Sequence, residues 1–156
     1  MTQDAVITVT SQQSPKSPTP DAALKRLGDA LVGTWRLFGG VKGEVQYEWI
    51  EGGFFLMQHV NLEQYGQALK GIEIIGRERG FEAAEPGEDI QSRYYDNMGN
   101  TFDYVYELED GILTIWGGEK GSPAYFSGTF SAEGNILSGS WVWPGGGYET
   151  TAVRVR

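Results

Sequence analysis

Thr101-Phe102-Asp103-Tyr104-Val105-Tyr106-Glu107-Leu108-Glu109, then Asp110-Gly111, then Ile112-Leu113-Thr114-Ile115-Trp116, reads as two extended segments folded back on each other. Side chains alternate along a strand, so Phe102, Tyr104, Tyr106 and Leu108 share one face while Thr101, Asp103, Val105 and Glu107 share the other. Asp-Gly supplies the positive φ of a tight hairpin turn. One aromatic face and one polar face is the pattern of a sheet wall with water on one side only.

The same period of two continues in both directions. Upstream, Val45, Tyr47 and Trp49 alternate with Gln46, Glu48 and Ile50. Strand candidates fall at 34–40, 44–51, 53–62, 71–79, 89–97, 101–109, 112–117, 123–131, 135–143 and 147–155. Glu51-Gly52-Gly53, Asn97-Met98-Gly99-Asn100, Ala132-Glu133-Gly134-Asn135 and Pro144-Gly145-Gly146-Gly147 punctuate them with turn residues, and the acidic, Pro-containing stretch Gly80 to Glu88 reads as an exposed loop. No long helical pattern separates the strands, which argues against a parallel sheet. The expectation is an all-β fold, an up-and-down antiparallel β-barrel of about ten strands. Phe54 to Val60 is nearly apolar on both faces, so the helix, a loop or another subunit is expected to cover part of it, which leaves room for a homodimer.

Before Gly33 the period is 3.6. Leu24, Leu27 and Leu31 recur at helical spacing, with Thr19 as the predicted cap, Pro20 in the first position, Asp21 in the first turn and Gly33 as the stop. This one short amphipathic helix is expected to lie across one end of the barrel. Residues 1–18 are rich in Ser, Gln, Thr and Pro and read as a disordered tail, leaving 19–156 as the barrel domain.

Composition excludes several functions. The net charge of −9 with no basic stripe repels phosphate backbones, so no nucleic-acid partner is expected. With no cysteine, disulfides and thiolate chemistry are out, and a reducing compartment suits the chain. Met1-Thr2-Gln3-Asp4 has no basic leader character and Ala5 to Val9 is too short to span a bilayer, so a cytoplasmic protein with no membrane partner is expected. Gly117-Gly118 and Gly145-Gly146-Gly147 precede no helix and cannot cradle phosphate. No nucleophile-elbow pattern surrounds any of Ser122, Ser127, Ser138 or Ser140. No metal site or cofactor is expected.

Gly33-Thr34-Trp35 directly after a short helix, a run of antiparallel strands, and Arg154 in the last strand together resemble the calycin superfamily of lipocalin-like barrels. The nearest resemblance is to the family DUF1579, carried by Tyr47-Glu48-Trp49-Ile50-Glu51-Gly52-Gly53-Phe54-Phe55-Leu56, Gly71-Ile72-Glu73-Ile74-Ile75-Gly76, Phe126-Ser127-Gly128-Thr129-Phe130 and Asn135-Ile136-Leu137-Ser138-Gly139-Ser140-Trp141. It covers roughly residues 25 to 156 and bears on fold far more than on function. The resemblance implies that Trp35 plugs one barrel end with Arg154 packed across its indole as a structural lock. The superfamily also holds haem-binding barrels of the nitrobindin type, but the last strand here has no histidine where their axial ligand falls.

Candidate site residues follow from chemistry. Glu73, between Ile72 and Ile74, points either to water or inward as a buried carboxyl able to act as a base; His59 and Arg93 are its expected partners, with Arg77 a more distant neighbour. His59, the only histidine, is either a wall residue or a proton-transfer group, and a lone imidazole makes a poor metal site. Arg93 and Tyr95 share one face of their strand, Tyr94 and Asp96 the other. Tyr47, Trp49, His59, Glu73, Arg93, Tyr95, Tyr104, Tyr106 and Trp141 form the candidate ligand-binding set, with Glu73 and His59 the catalytic candidates; Trp116 and Trp143 read equally well as packing.

Three function classes remain open. The first is a lipocalin-like binder of a small, mostly apolar or aromatic molecule, without catalysis. The second is a cofactor-free isomerase, cyclase or hydratase working through a pocket acid or base. The third is an accessory or assembly protein with a filled barrel.

Overall fold

The computed structural model describes residues 19–155; the expected tail, 1–18, and Arg156 lie outside the described residues. Among the described residues, one helix, α1 (Ala22–Leu31), precedes ten strands: β1 (Gly33–Gly39), β2 (Lys42–Trp49), β3 (Phe55–Gln64), β4 (Gln67–Gly76), β5 (Ile90–Asp96), β6 (Thr101–Glu109), β7 (Ile112–Gly117), β8 (Tyr125–Phe130), β9 (Ile136–Trp143) and β10 (Gly146–Val155). Every strand pairs antiparallel with its chain neighbour, and β1 pairs with β10 to close the barrel. This is the all-β, up-and-down barrel with one helix that the two-fold period implies.

The helix starts later than its sequence suggests. Asp21, not Thr19, is the cap, and its carboxylate accepts a hydrogen bond from the Leu24 amide at 2.9 Å. Arg77, just past β4, donates from Nε to the other Asp21 oxygen at 2.7 Å. That hydrogen bond, aided by the amide of Leu24, lowers the Asp21 carboxyl to about 2. Arg77 is therefore bound to the helix cap and not to Glu73. Leu24, Leu27 and Leu31 are buried, so the apolar stripe seals one barrel end. Gly28 lets the Trp49 indole press against the helix: a Cβ there would sit 2.0 Å from the ring.

Trp35 forms the floor beneath the helix and is 1% exposed. Its indole nitrogen donates to the Leu31 carbonyl at 2.8 Å, and the Arg154 guanidinium lies 4.3 Å from the ring centroid. Arg154 also donates to the carbonyls of Val32 at 2.6 Å and Ala30 at 2.9 Å. A helix C-terminus leaves such carbonyls without intrahelical partners, so one cation supports both the indole face and the helix end.

Two segments depart from the expected strands. β3 and β4 run on through the stretch between 62 and 71, because Tyr65 (φ 52°) and Gly66 (φ 76°) make a two-residue left-handed turn closed by the Gln64–Gln67 pair. In the apolar segment Phe54 to Val60, the barrel interior buries Leu56, Gln58 and Val60. Met57 and His59 lie on the outer wall, as does Phe55, which is 38% exposed.

Candidate functional site

Strand alternation turns one face of every strand inward, and the inward faces enclose a cavity of about 530 Å³. It runs from Trp35 and Leu31 at the helix end to Tyr65, Asn100 and Trp143 among the turns at the other end. Tyr65 is 87% exposed and still lines it, so the cavity reaches solvent there. The barrel is therefore not filled by its own aromatic residues.

One side of the wall is an arc of rings. Tyr94 stacks on Phe102 with centroids 5.7 Å apart, Phe102 meets Tyr104 at 6.3 Å, Tyr104 meets Trp141 at 5.8 Å, and Trp141 meets Phe126 at 5.6 Å. These residues come from β5, β6, β8 and β9, and each lines the cavity.

The polar chemistry adjoins this arc, with Glu73 directly opposite Tyr94 in the strand register. Glu73, on β4, is 4% exposed and lines the cavity. Its Oε2 accepts hydrogen bonds from Ser92 Oγ of β5 and, at 2.6 Å, from the Tyr106 hydroxyl of β6. Neither bond falls on Oε1. Beside it in the register, Gln58 of β3 donates from Nε2 to the Tyr47 hydroxyl of β2 at 2.8 Å. Tyr47 spends an acceptor position on Gln58, which leaves its own proton to donate.

Burial pushes the Glu73 carboxyl above its usual range, against the opposing pull of the Ser92 and Tyr106 hydrogen bonds. Tyr47 and Tyr106 are raised by burial first and by the neighbouring Glu73 charge second. Tyr104 follows the same order of causes. The tyrosines thus keep their protons, and Glu73 is the carboxyl that burial pushes towards its neutral form.

Of the sequence-predicted residues, Tyr47, Glu73, Tyr104, Tyr106 and Trp141 meet in the cavity. His59 does not: it shares its strand with inward Gln58, faces out, and its Nε2 pairs with Glu48 at 2.6 Å. Arg93 is likewise on the outer wall, paired with Asp103 at 2.9 Å, and Tyr95 stands 44% exposed on the same face. Inward-facing Ser92 and Tyr94 set that register, so the expected His59 and Arg93 partners of Glu73 are replaced by two hydroxyls. Trp49 sits under Gly28 at the helix end, away from the cavity lining.

Gln58, Ser92, Tyr94 and Phe126 are cavity or cluster residues that sequence reasoning passed over. The available signal for Ser92 was its alternation with Tyr94 and Asp96, two residues apart on the same face. Among the described residues, no group of three or more His, Cys, Asp and Glu could hold a metal ion. No helix among them is long and apolar enough to cross a membrane.

No family model matches the chain, and neither does any curated protein. Its geometry is that of a mainly apolar, ring-lined chamber whose polar lining includes the carboxyls of Glu73 and Asp96, several tyrosine hydroxyls and the amides of Gln58, Gln64 and Asn100.

Proposed function

We propose that this protein is a lipocalin-like binder that holds one small, mostly apolar molecule with aromatic character inside the barrel. The observation that carries this reading is the cavity itself. About 530 Å³ lies within the range of small-molecule sites, and an apolar lining interrupted by a few convergent polar groups is their usual composition. The ligand-contacting set is Tyr47, Glu73, Tyr104, Tyr106 and Trp141, joined by Tyr94 and Gln58. Burial of the guest's apolar surface supplies most of the binding energy, at about 25 cal/mol per Å². The polar cluster orients it.

A second reading, proton transfer by Glu73 in a cofactor-free isomerase, cyclase or hydratase, is favoured by one observation: a buried acid with a raised pKa and one oxygen free of protein bonds. It ranks lower because the surrounding tyrosines hold their protons too firmly to act as a second base.

Titration with the neutral probe N-phenyl-1-naphthylamine, read by its emission and by Trp quenching, tests the binder. One saturable site per barrel at micromolar affinity or better is expected. No saturable binding, together with no retained mass on native mass spectrometry of protein from its own host, overturns it.

A further inference from the structure

The described residues lining the cavity include two carboxyl groups, Glu73 and Asp96, and no Lys, Arg or His. We propose that the molecule the cavity takes is a cationic amine on an aromatic frame, its ammonium docked on Oε1 of Glu73 and its rings against the Tyr94–Phe102–Tyr104–Trp141 arc. The inference rests on the binder reading above and adds the sign of the ligand's charge.

Four features point the same way. Ser92 and Tyr106 both donate to Oε2, which fixes the carboxyl plane and leaves Oε1 the oxygen without a protein donor. Glu73 is 4% exposed, so a guest charge meeting it is shielded from water and the attraction is weakly screened. Aromatic faces attract cations, and an arc of four rings lines the same chamber, its Tyr94 directly opposite Glu73 in the strand register. Finally, the chain carries −9 overall, so its net field favours the approach of cations over that of anions.

An anionic guest meets the opposite situation. A ligand carboxylate beside Glu73 brings two like charges together in a dry site, where one must take up a proton. No cation in the lining offsets that cost.

Proton balance follows from the raised pKa of Glu73. To the extent that the empty site holds the neutral acid, docking an ammonium expels that proton to solvent, leaving carboxylate and ammonium in contact. The titratable groups around Glu73 are Tyr47 from β2, Tyr94 and Asp96 from β5, and Tyr104 and Tyr106 from β6; Gln58 from β3 and Ser92 from β5 carry no charge. Those tyrosines are raised, and Asp96 is lowered by the hydrogen bonds of Asn100 and Met98 despite partial burial, so Glu73 is the carboxyl among them that burial pushes towards its neutral form.

The test is calorimetric titration of the full chain with three probes of one size: 1-naphthylmethylamine, 1-naphthylmethanol and 1-naphthoate. The amine is expected to bind at least about ten-fold more tightly than the alcohol, the worth of one hydrogen bond to a charged group, with the naphthoate weakest. Glu73→Gln keeps an acceptor for Ser92 and Tyr106 and should bring the amine and alcohol within about three-fold of each other. Should that variant fail to fold, the amine-to-alcohol ratio in the parent replaces it: it rises with pH as Glu73, raised above the usual carboxylate range by burial, loses its proton. A flat ratio overturns the proposal. Equal or tighter binding of the alcohol or the naphthoate overturns the charge assignment and leaves the binder standing. Failure of all three probes overturns the charge assignment, and the binder falls with it only where N-phenyl-1-naphthylamine also fails to bind and no mass is retained.

Discussion

The two ends of the barrel are built from the same strands and solved differently. At the helix end, Leu24, Leu27, Leu31 and Trp35 are 0–2% exposed and Arg154 answers the helix carbonyls. At the opposite end, Tyr65 stands 87% and Trp143 39% exposed while both border the cavity. Apolar side chains packed against one another stabilise; those facing an unfilled chamber have no partner atoms on one side and gain from a guest. The contrast separates the part of the molecule that holds the fold from the part that can receive a ligand.

Substitutions at the two ends should differ accordingly. Trp35→Ala strikes the sealed end hardest, removing the floor, the Arg154 stack and the bond to Leu31, and is expected to cost about 3–5 kcal/mol in chemical denaturation. Near-parental stability would show that the helix seals the barrel without its indole.

Asp21→Asn keeps the helix cap but removes the charge paired with Arg77. The pair is partly exposed, so the expected loss is about 0.5–1 kcal/mol at neutral pH. Because the Asp21 carboxyl is lowered to about 2 in the fold, its contribution is complete above the ordinary carboxylate pKa and fades as pH falls towards 2. Melting curves of parent and variant should therefore converge on acidification. A gap that stays constant would assign the effect to packing.

The smallest change is expected at the mouth. Tyr65→Asn should leave unfolding stability within about 0.5 kcal/mol, since the residue is exposed and asparagine accepts its positive φ. A larger loss would mean that the rim also carries the fold.

The sealed end was readable from the chain, and the cavity only in part. Leu24, Leu27 and Leu31 announce a helix face, and Thr101 to Trp116 announces a hairpin with one aromatic wall. Arg93-Tyr94-Tyr95-Asp96 offers an aromatic and a charged residue to each side, so alternation alone does not choose the inner face. Gln58 and His59 pose the same ambiguity on β3. The partners of Glu73 come from β5 and β6 and depend on the stagger of three strands, which no local pattern encodes. The turn at Tyr65-Gly66 was missed because tyrosine rarely adopts a left-handed conformation.

Closure of the barrel has a consequence for how the chain reaches this state. β1 pairs with β10, and Arg154 finds the Val32 carbonyl across 122 residues of sequence. On a ribosome, the first strand must wait for the last, with one edge open and the Trp35 indole without its Arg154 partner until β10 arrives. Contacts of such long range make folding slow and favour a late, concerted final step. Unpaired edges of β1 and β9 are the places where an unfinished chain meets a neighbour, so the hazard of misassembly belongs to synthesis and disappears once the ring is complete.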